Sequence, residues 1–464
     1  MPRPPTPTGR RLWLPGPASG RRLLVALLVA TALFRMTQNM ATTTLSLLAG
    51  EAVHLGAAAI GVLGAVLGLL VALVTLLLSR RVPHHRAATS AAWAMAGLAV
   101  SLLVLAVAPS FGVLAAGAVL LGAAGGLAMP GLLNAIVSTA GGERERVIAV
   151  YTVTLSVSLA VGPLLETVVL SVGHQDVRIP YVVFTVFPLL GAVLLVAARP
   201  RRRRTARFVA TTSDGASVEA GAGRPDGVGT GRGASADPGP DDAAASEETS
   251  VGVDAAGDVA TEPAGSPRRR GSGRSGLFAS RAGRTALVAQ LLYAVPFSGV
   301  TVFGALVARR GFGVSAAEAQ LGFTVFFVCS FAARAAVAWR APIAAKQALL
   351  WASAALTATG LVLLGTGHGL VLLLVAMGVL GVPHGLTFPL ALALVAEATP
   401  VDALPRANAT LLGSTNLSSV AVPLALGAIV PTVGYQGMML AVLLPVGAFA
   451  LVQLAMHVRP DGTG

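Results

Sequence analysis

Apolar stretches of about 20 residues or more, separated by short polar connections, recur along the whole chain. About 20 consecutive apolar residues are enough for a helix to cross the hydrocarbon core of a bilayer. The pattern therefore predicts an all-α membrane protein with twelve transmembrane helices. The predicted spans cover residues 22–49, 55–79, 88–108, 111–138, 147–172, 179–198, 285–308, 315–338, 345–366, 369–397, 409–432 and 435–457.

A long polar segment separates the sixth span from the seventh, so the spans form two groups of six. Residues 199–283 are rich in Gly, Ala, Ser, Asp and Glu between two arginine clusters. Such a composition buries too little apolar surface to offset the entropy of ordering the chain. We therefore predict a disordered cytoplasmic tail at 1–20, a six-helix bundle at 21–198, a disordered cytoplasmic linker at 199–283, a second bundle at 284–458 and a cytoplasmic tail at 459–464.

Two stretches on either side of the linker, 122–169 and 381–430, resemble one another. Each contains two apolar helices joined by a short polar connection, and each helix carries an internal proline. This agreement predicts two bundles related by a pseudo-twofold axis. In an apolar protein, helices interrupted at matching positions of the two halves indicate the binding site of a transporter. The residues at these predicted kinks are Pro130, Gly162, Pro163, Pro389 and Pro423.

Composition and charge support a membrane location, since 55% of the residues are hydrophobic and only 11% are charged. A net charge of +13 on a soluble protein would suggest nucleic acid, but the basic residues here lie between apolar spans. We therefore expect the lipid bilayer as a partner and no nucleic acid. Most basic connections lie on one side of the predicted topology, and Arg178, Arg309 and Arg310 lie on the other. This bias predicts a multi-pass protein of the plasma (inner) membrane with both termini cytoplasmic.

Arg35 is the strongest chemical anomaly, because it lies near the middle of the first predicted span. A charge at that depth costs roughly 2.5–3.5 kcal/mol or more, so it must face protein or water. Gln38 and Asn39 follow at three and four residues and share its helix face. The stripe therefore lines a cavity, or Arg35 belongs to a structural ion pair.

Glu166 is the only acid inside the first six predicted spans, and Arg35 is its expected partner. Along the helices Glu166 lies roughly 8 Å farther out than Arg35, so side chains or water must bridge the offset. If Glu166 is unpaired in one conformation, desolvation favours its protonated form, as a proton-coupled carrier requires. The alternative is a permanently ionised partner of Arg35.

Further candidates lie in the fourth, seventh and tenth spans. Asn134 follows Pro130 by one turn and bonds the carbonyl that the proline frees, or contacts a substrate. Gln290 and Tyr293 lie on one face of the seventh span, at the position that corresponds to the Arg35 helix. His384 is either a hydrogen-bonded packing residue or a proton carrier.

Charged or polar groups of the eighth and eleventh spans are expected to lie outside the binding site. In the eighth span, Glu318 and Arg334 are too far apart to pair, and we expect both to be interfacial anchors or gate contacts rather than binding-site groups. Thr415 and Asn416 are expected near the cytoplasmic end of the eleventh span.

The layout of two six-helix halves, a basic linker and matching prolines resembles the major facilitator superfamily of secondary transporters. The resemblance covers the chain outside the tail and linker. In the fifth span, Gly162 and Pro163 match the antiporter signature of that family, while Ser158, Glu166 and Thr167 replace its glycines. The connection after the second span keeps the basic cluster of the family, with Arg80, Arg81 and Arg86, and lacks its acid and glycine. Ala118 stands where the family has a proton-linked arginine, which leaves Arg35 and Glu166 as coupling candidates.

The resemblance implies an alternating-access carrier with a cavity lined by the first, fourth, seventh and tenth helices. We expect proton-coupled efflux of a small, partly apolar compound, by a monomer without a cofactor. The rivals are an uptake carrier for an organic anion and a membrane receptor or scaffold without transport. An enzyme is not expected, because the sequence shows no nucleotide loop, metal-ligand cluster or nucleophile with a nearby base.

Overall fold

The structure is a computed structural model, and it describes residues 18–78, 86–140, 144–198, 280–339, 345–400 and 403–458. Every regular element in these ranges is helical. Residues 1–17 and 459–464 of the predicted tails, nearly all of the predicted linker, and the basic residues Arg80, Arg81 and Arg340 lie outside the described residues. Residues 18–20, predicted as disordered tail, instead begin the first helix.

Six spans form the first half of the described chain. Their helices begin and end within a few residues of the predicted positions, and a break at Thr185 divides the sixth span. They are Ala18–Leu47, Ala57–Leu78, Ala87–Ala106, Phe111–Thr139, Arg144–Val172 and the pair Ile179–Phe184 and Val186–Ala197. A short π-helix, Leu48–Ala52, extends the first span.

The second half also supplies six spans, although the last two appear as one 51-residue segment, Arg406–Met456. Gly434 lies inside that segment with φ 72° and ψ 175°, a conformation that glycine adopts without strain. The chain turns there, so the eleventh span ends and the twelfth begins. The helices of this half are Arg281–Gly311, Ala316–Trp339, Lys346–Thr366, Gly369–Ala398, Leu404–Ala441 and Leu443–Val458.

The neighbours of each span repeat between the halves. The first span packs on the fifth and the second on the fourth, as the seventh packs on the eleventh and the eighth on the tenth. Across the halves, the second span packs on the eleventh and the fifth on the eighth. If each span is replaced by the equivalent span of the other half, six places along the chain, each of these pairs of neighbours becomes another observed pair. A pseudo-twofold axis requires this relationship.

Apolar side chains cover the outside of the bundle, as in a protein surrounded by lipid. Val172, Val371 and Leu444 are each at least 75% exposed. We call the end of the bundle that holds Ala18 and Val458 the terminal end, and the opposite end the distal end. Successive spans run in alternating directions between these two ends.

The helices continue through their internal prolines, so the predicted interruption is limited to the loss of a backbone hydrogen bond. In the first half, side chains from neighbouring helices take up the freed carbonyls. Thr75 donates to the carbonyl of Gly126, four residues before Pro130, at 3.2 Å. Asn39 donates to the carbonyl of Leu159, four residues before Pro163, at 2.8 Å.

Glycines allow the closest helix contacts. A Cβ atom on Gly61 would collide with the carbonyl of Pro423 in the other half, and one on Gly68 would lie 2.8 Å from the carbonyl oxygen of Ser419. Gly162 packs in the same way on the backbone of Met36. The second and eleventh spans therefore meet backbone to backbone across the halves.

Candidate functional site

A cavity of about 580 Å³ lies between the two halves. It is within the usual volume range of small-molecule sites. Six of the predicted site residues line it: Arg35, Gln38, Asn39, Gln290, Tyr293 and His384. The second, fifth, eighth and eleventh spans contribute to the wall as well as the predicted first, fourth, seventh and tenth.

Arg35 faces this cavity from the first span. Its Nη1 atom donates to Oε1 of Gln38 at 3.2 Å, while its buried Nε atom has no partner. Gln38 in turn packs against Gly125 of the fourth span, where a side chain would leave it no room. The first and fourth spans thus hold the guanidinium toward the cavity.

Arg334 also lines the cavity, so the prediction that it lies outside the binding site is wrong. It lies on the eighth span, in the other half from Arg35, and its buried Nε atom has no partner. Phe326, Ser330 and Arg334 recur every fourth residue and share one helix face. That spacing is the sequence signal that places Arg334 beside the binding site.

His384 is the centre of an aromatic cluster in the second half. Its Nδ1 atom bonds the Ser330 hydroxyl at 2.7 Å and its Nε2 atom bonds the Tyr293 hydroxyl at 3.2 Å. The ring centroids of Phe297 and Phe326 lie 4.4 and 4.9 Å from that of His384. Both ring nitrogens are occupied, which is the arrangement of a hydrogen-bonded packing residue.

Gln290 and Thr415 join the seventh and eleventh spans beside the cavity. The Gln290 amide donates to the Thr415 hydroxyl at 2.5 Å, and its buried carbonyl oxygen has no partner. Thr415 and Asn416 line the cavity, which sequence reasoning missed because both lie toward one end of their span.

Asn39 lines the cavity, but its side-chain amide donates a hydrogen bond to the Leu159 carbonyl, which Pro163 leaves without a helical donor. The side chain is 8% exposed. Asn39 therefore secures the first span to the fifth span. This contact explains why an amide follows Arg35 by four residues.

Glu166 lies outside the cavity wall and is fully buried. One carboxylate oxygen accepts a hydrogen bond from Thr44 of the first span, and the other has no partner. Thr44 also accepts from the amide of Gln320, on the eighth span of the other half, at 3.2 Å. The predicted ion pair with Arg35 is absent among these contacts, because Thr44 lies nine residues, or roughly 13 Å, farther along the first span.

Asn134 is a partly buried residue that the cavity wall does not include. The carbonyl freed by Pro130 is bonded by Thr75 of the second span, so the predicted role of Asn134 at that carbonyl is wrong. Polar residues on adjacent helices compete for such a carbonyl, and the sequence of one helix does not reveal which of them is nearer.

Three polar contacts between described residues join the halves at the distal end. Arg309 pairs with Glu51 at 2.7 Å, and the Gln175 side chain accepts from the backbone N–H of Ala317 at 2.9 Å. The third is the bond from Gln320 to Thr44. Glu318, as expected, is removed from the cavity, and it accepts from the backbone N–H of Ser315.

Comparison with known proteins gives a family and a fold. A family model described as Major Facilitator Superfamily matches residues 27–261 and 286–463. No sequence among the curated proteins is significantly similar to the chain.

Solved structures share the fold at low sequence identity. The nucleoside transporter NupG is 13% identical with a TM-score of 0.67, and the match covers 94% of this chain and 100% of that one. A bacterial homologue of the human lysosomal transporter Spinster, in an inward-facing and unoccupied conformation, is 13% identical with a TM-score of 0.66, over 96% and 97% of the chains. The human organic anion transporter MFSD10 is 17% identical with a TM-score of 0.51, over 95% and 100%.

Proposed function

The chain belongs to the major facilitator superfamily and is a membrane transporter rather than an enzyme, and from this premise we propose that it exports a small, partly apolar compound in exchange for protons. The observation that carries the proposal is the cavity between the halves, which combines polar groups with a largely apolar wall.

The conformation fits one state of an alternating-access cycle. Polar contacts across the halves at Glu51, Gln175 and Gln320 hold the distal end together, and the cavity lies on the terminal side of them. We assign the terminal end to the cytoplasm, because most of the basic connections belong to that end. On this assignment the cavity faces inward across the plasma membrane.

Glu166 is the proposed proton carrier. It has no exposed surface, its hydrogen bond comes from a neutral hydroxyl, and its second oxygen has no partner. Burying a carboxylate against a neutral hydroxyl costs several kcal/mol, so burial favours the protonated form of Glu166. His384 is the weaker candidate, because both of its ring nitrogens already have partners.

Export is the proposed direction because Gly162 and Pro163 keep part of the antiporter signature. Uptake of an organic anion without protons is the second candidate, favoured by the two arginines in the cavity. A receptor or scaffold without transport is the third. The three candidates differ in whether flux occurs and in what drives it.

Proteoliposomes distinguish these functions. A compound that stabilises the purified protein in a thermal-unfolding screen is chosen first, since a ligand of the folded state raises its stability. Its flux is then measured across a pH gradient with and without a proton ionophore. We expect accumulation that the ionophore abolishes, together with a substrate-dependent pH change in the lumen. Flux that the ionophore leaves unchanged contradicts proton coupling, and stabilising compounds that never cross indicate a receptor or scaffold.

A further inference from the structure

We propose that the cavity binds organic anions, with the anionic group held between Arg35 and Arg334 and the apolar body against the aromatic cluster. The inference rests on the proposed function, in which this cavity is the transport site. It deepens that function by assigning the substrate a charge and by adding Arg334 as a second binding residue.

The charge balance of the wall carries the first step. Arg35 and Arg334 both line the cavity, and among its described lining residues none is Asp or Glu. Two guanidiniums in a site surrounded by lipid and protein are costly without counter-charge. The Nε atom of each is buried without a hydrogen-bond partner among the described residues, so the protein does not fully satisfy either guanidinium. A bound anion would supply both the charge and the acceptors.

Guanidinium groups also suit this chemistry. Each presents planar, paired donors that match the oxygens of a carboxylate or phosphate, and the charge persists at any physiological pH. Histidine or lysine at these positions would give a weaker or pH-dependent site. The pair therefore favours an oxyanion over a halide or a neutral molecule.

The position of the two arginines links anion binding to transport. Arg35 belongs to the first span and Arg334 to the eighth, so they approach the cavity from opposite halves. Both guanidiniums line the same cavity as Tyr293. Without an anion they repel one another, whereas an anion between them attracts both halves toward a closed state.

The rest of the cavity suits an apolar or aromatic body. Tyr293, Phe297 and Phe388 form one wall, with ring centroids 5.6 Å apart for the first two and 6.1 Å apart for Tyr293 and Phe388. Aliphatic side chains of the second, fourth and fifth spans, Leu67, Val71, Met129 and Leu159, line other parts of it. A volume of about 580 Å³ accepts a molecule of one or two rings rather than a bare inorganic ion.

Matched probes on the purified full-length protein test the charge. Thermal unfolding is followed by tryptophan fluorescence with 1-naphthoate, 1-naphthyl phosphate and 1-naphthalenesulfonate, and with the uncharged 1-naphthamide and the cation 1-naphthylmethylammonium. We expect stabilisation by at least one anion and by neither the amide nor the cation. Equal or greater stabilisation by the uncharged or cationic probes, or no stabilisation by any anion, overturns the proposal.

Substitutions test the residues. Arg35→Gln and Arg334→Gln should each weaken binding of the stabilising anion by roughly 30-fold or more, and Arg→Lys at either position should weaken it less. Arg310→Gln is the matched control, because Arg310 stacks on Tyr435 away from the cavity wall. Unchanged anion affinity in both Gln variants contradicts the assignment, and the Lys variants separate lost charge from failed folding.

The two proposals fail differently. If a neutral compound binds and shows proton-driven flux, the anion inference is wrong and the carrier function stands. If anions bind through both arginines but never cross the membrane, the anion site stands and the carrier function is wrong.

Discussion

The cavity and the Glu166 pocket bury charges of opposite sign in opposite ways. In the cavity, two guanidiniums from different halves face an open volume with no described carboxylate beside them. In the Glu166 pocket, one carboxylate is fully buried, and a threonine hydroxyl is its only hydrogen-bond partner among the described residues. The first site has room for a ligand, while the second has room for little more than a proton.

The distance between these sites indicates how proton and substrate binding are coupled in the proposed cycle. Arg35 and Thr44 lie on the same span, roughly 13 Å apart along its axis, so substrate and proton need not compete for one group. The contact from Glu166 instead runs through Thr44 to Gln320 in the other half. We therefore expect protonation of Glu166 to act on the distal closure and the proposed anion to act on the cavity.

The largest effect on transport is expected from Glu166→Gln. The amide keeps the shape of the protonated carboxyl but releases no proton, so proton-driven accumulation should be abolished. Binding in the cavity and exchange of labelled for unlabelled substrate should persist, because neither requires proton release. Both are measured in proteoliposomes, with and without a pH gradient.

Two outcomes of that experiment would contradict the proposal that Glu166 carries the proton while the cavity binds the substrate. Full proton-driven transport by Glu166→Gln places the coupling proton elsewhere. Loss of anion binding in the same variant shows that Glu166 and the cavity act as one site. Thr167→Val on the adjacent residue is a control, since its hydroxyl bonds only the Pro163 carbonyl of its own helix.

A smaller effect is expected from Gln320→Leu, which removes the hydrogen bond between Thr44 and the other half. Interhelical hydrogen bonds in membranes contribute about 0.6 kcal/mol on average, so opening at the distal end should become about threefold more frequent. A cysteine at Ser46, in a Cys329→Ser background, reports opening through its reaction with a membrane-impermeant maleimide from the distal side.

The neighbouring Thr324→Val supplies the control for that measurement. The Thr324 hydroxyl bonds only the Gln320 carbonyl one turn earlier on the same helix, so labelling at position 46 should not change. If Gln320→Leu also leaves labelling unchanged, the Thr44 contact does not contribute to the distal closure.

The sequence predicts the spans far better than it predicts the partners of their polar residues. Length and hydropathy place most helix ends within a few residues, because the thickness of the bilayer limits the possibilities. The Arg35–Glu166 pair is expected from the depth of each residue in the membrane. Depth alone does not determine how either helix is rotated, and it does not reveal that the Thr44 hydroxyl lies close enough to bond Glu166 instead. Arg334 was assigned to the interface because charged residues near the end of a span usually lie there.

Asn39 illustrates a signal that the sequence does contain. Pro163 deprives the Leu159 carbonyl of its helical donor, so a polar group on an adjacent helix can bond the carbonyl four residues before the proline. The same rule accounts for Thr75 and the Gly126 carbonyl before Pro130. Pairing each internal proline with a donor on another span would have identified both residues as structural.

The smallest effect on binding and transport is expected from Asn39→Leu, which tests whether a residue of the cavity wall holds the helices together rather than binding the ligand. Losing the bond to Leu159 should lower the stability of the protein by about 1 kcal/mol and leave anion affinity unchanged. Pro163→Ala restores a backbone N–H that can reach the Leu159 carbonyl, so Asn39→Leu should cost less in that background. A double-mutant cycle of thermal unfolding measures the difference, and an equal cost in both backgrounds would show that Asn39 does not serve the carbonyl freed by Pro163.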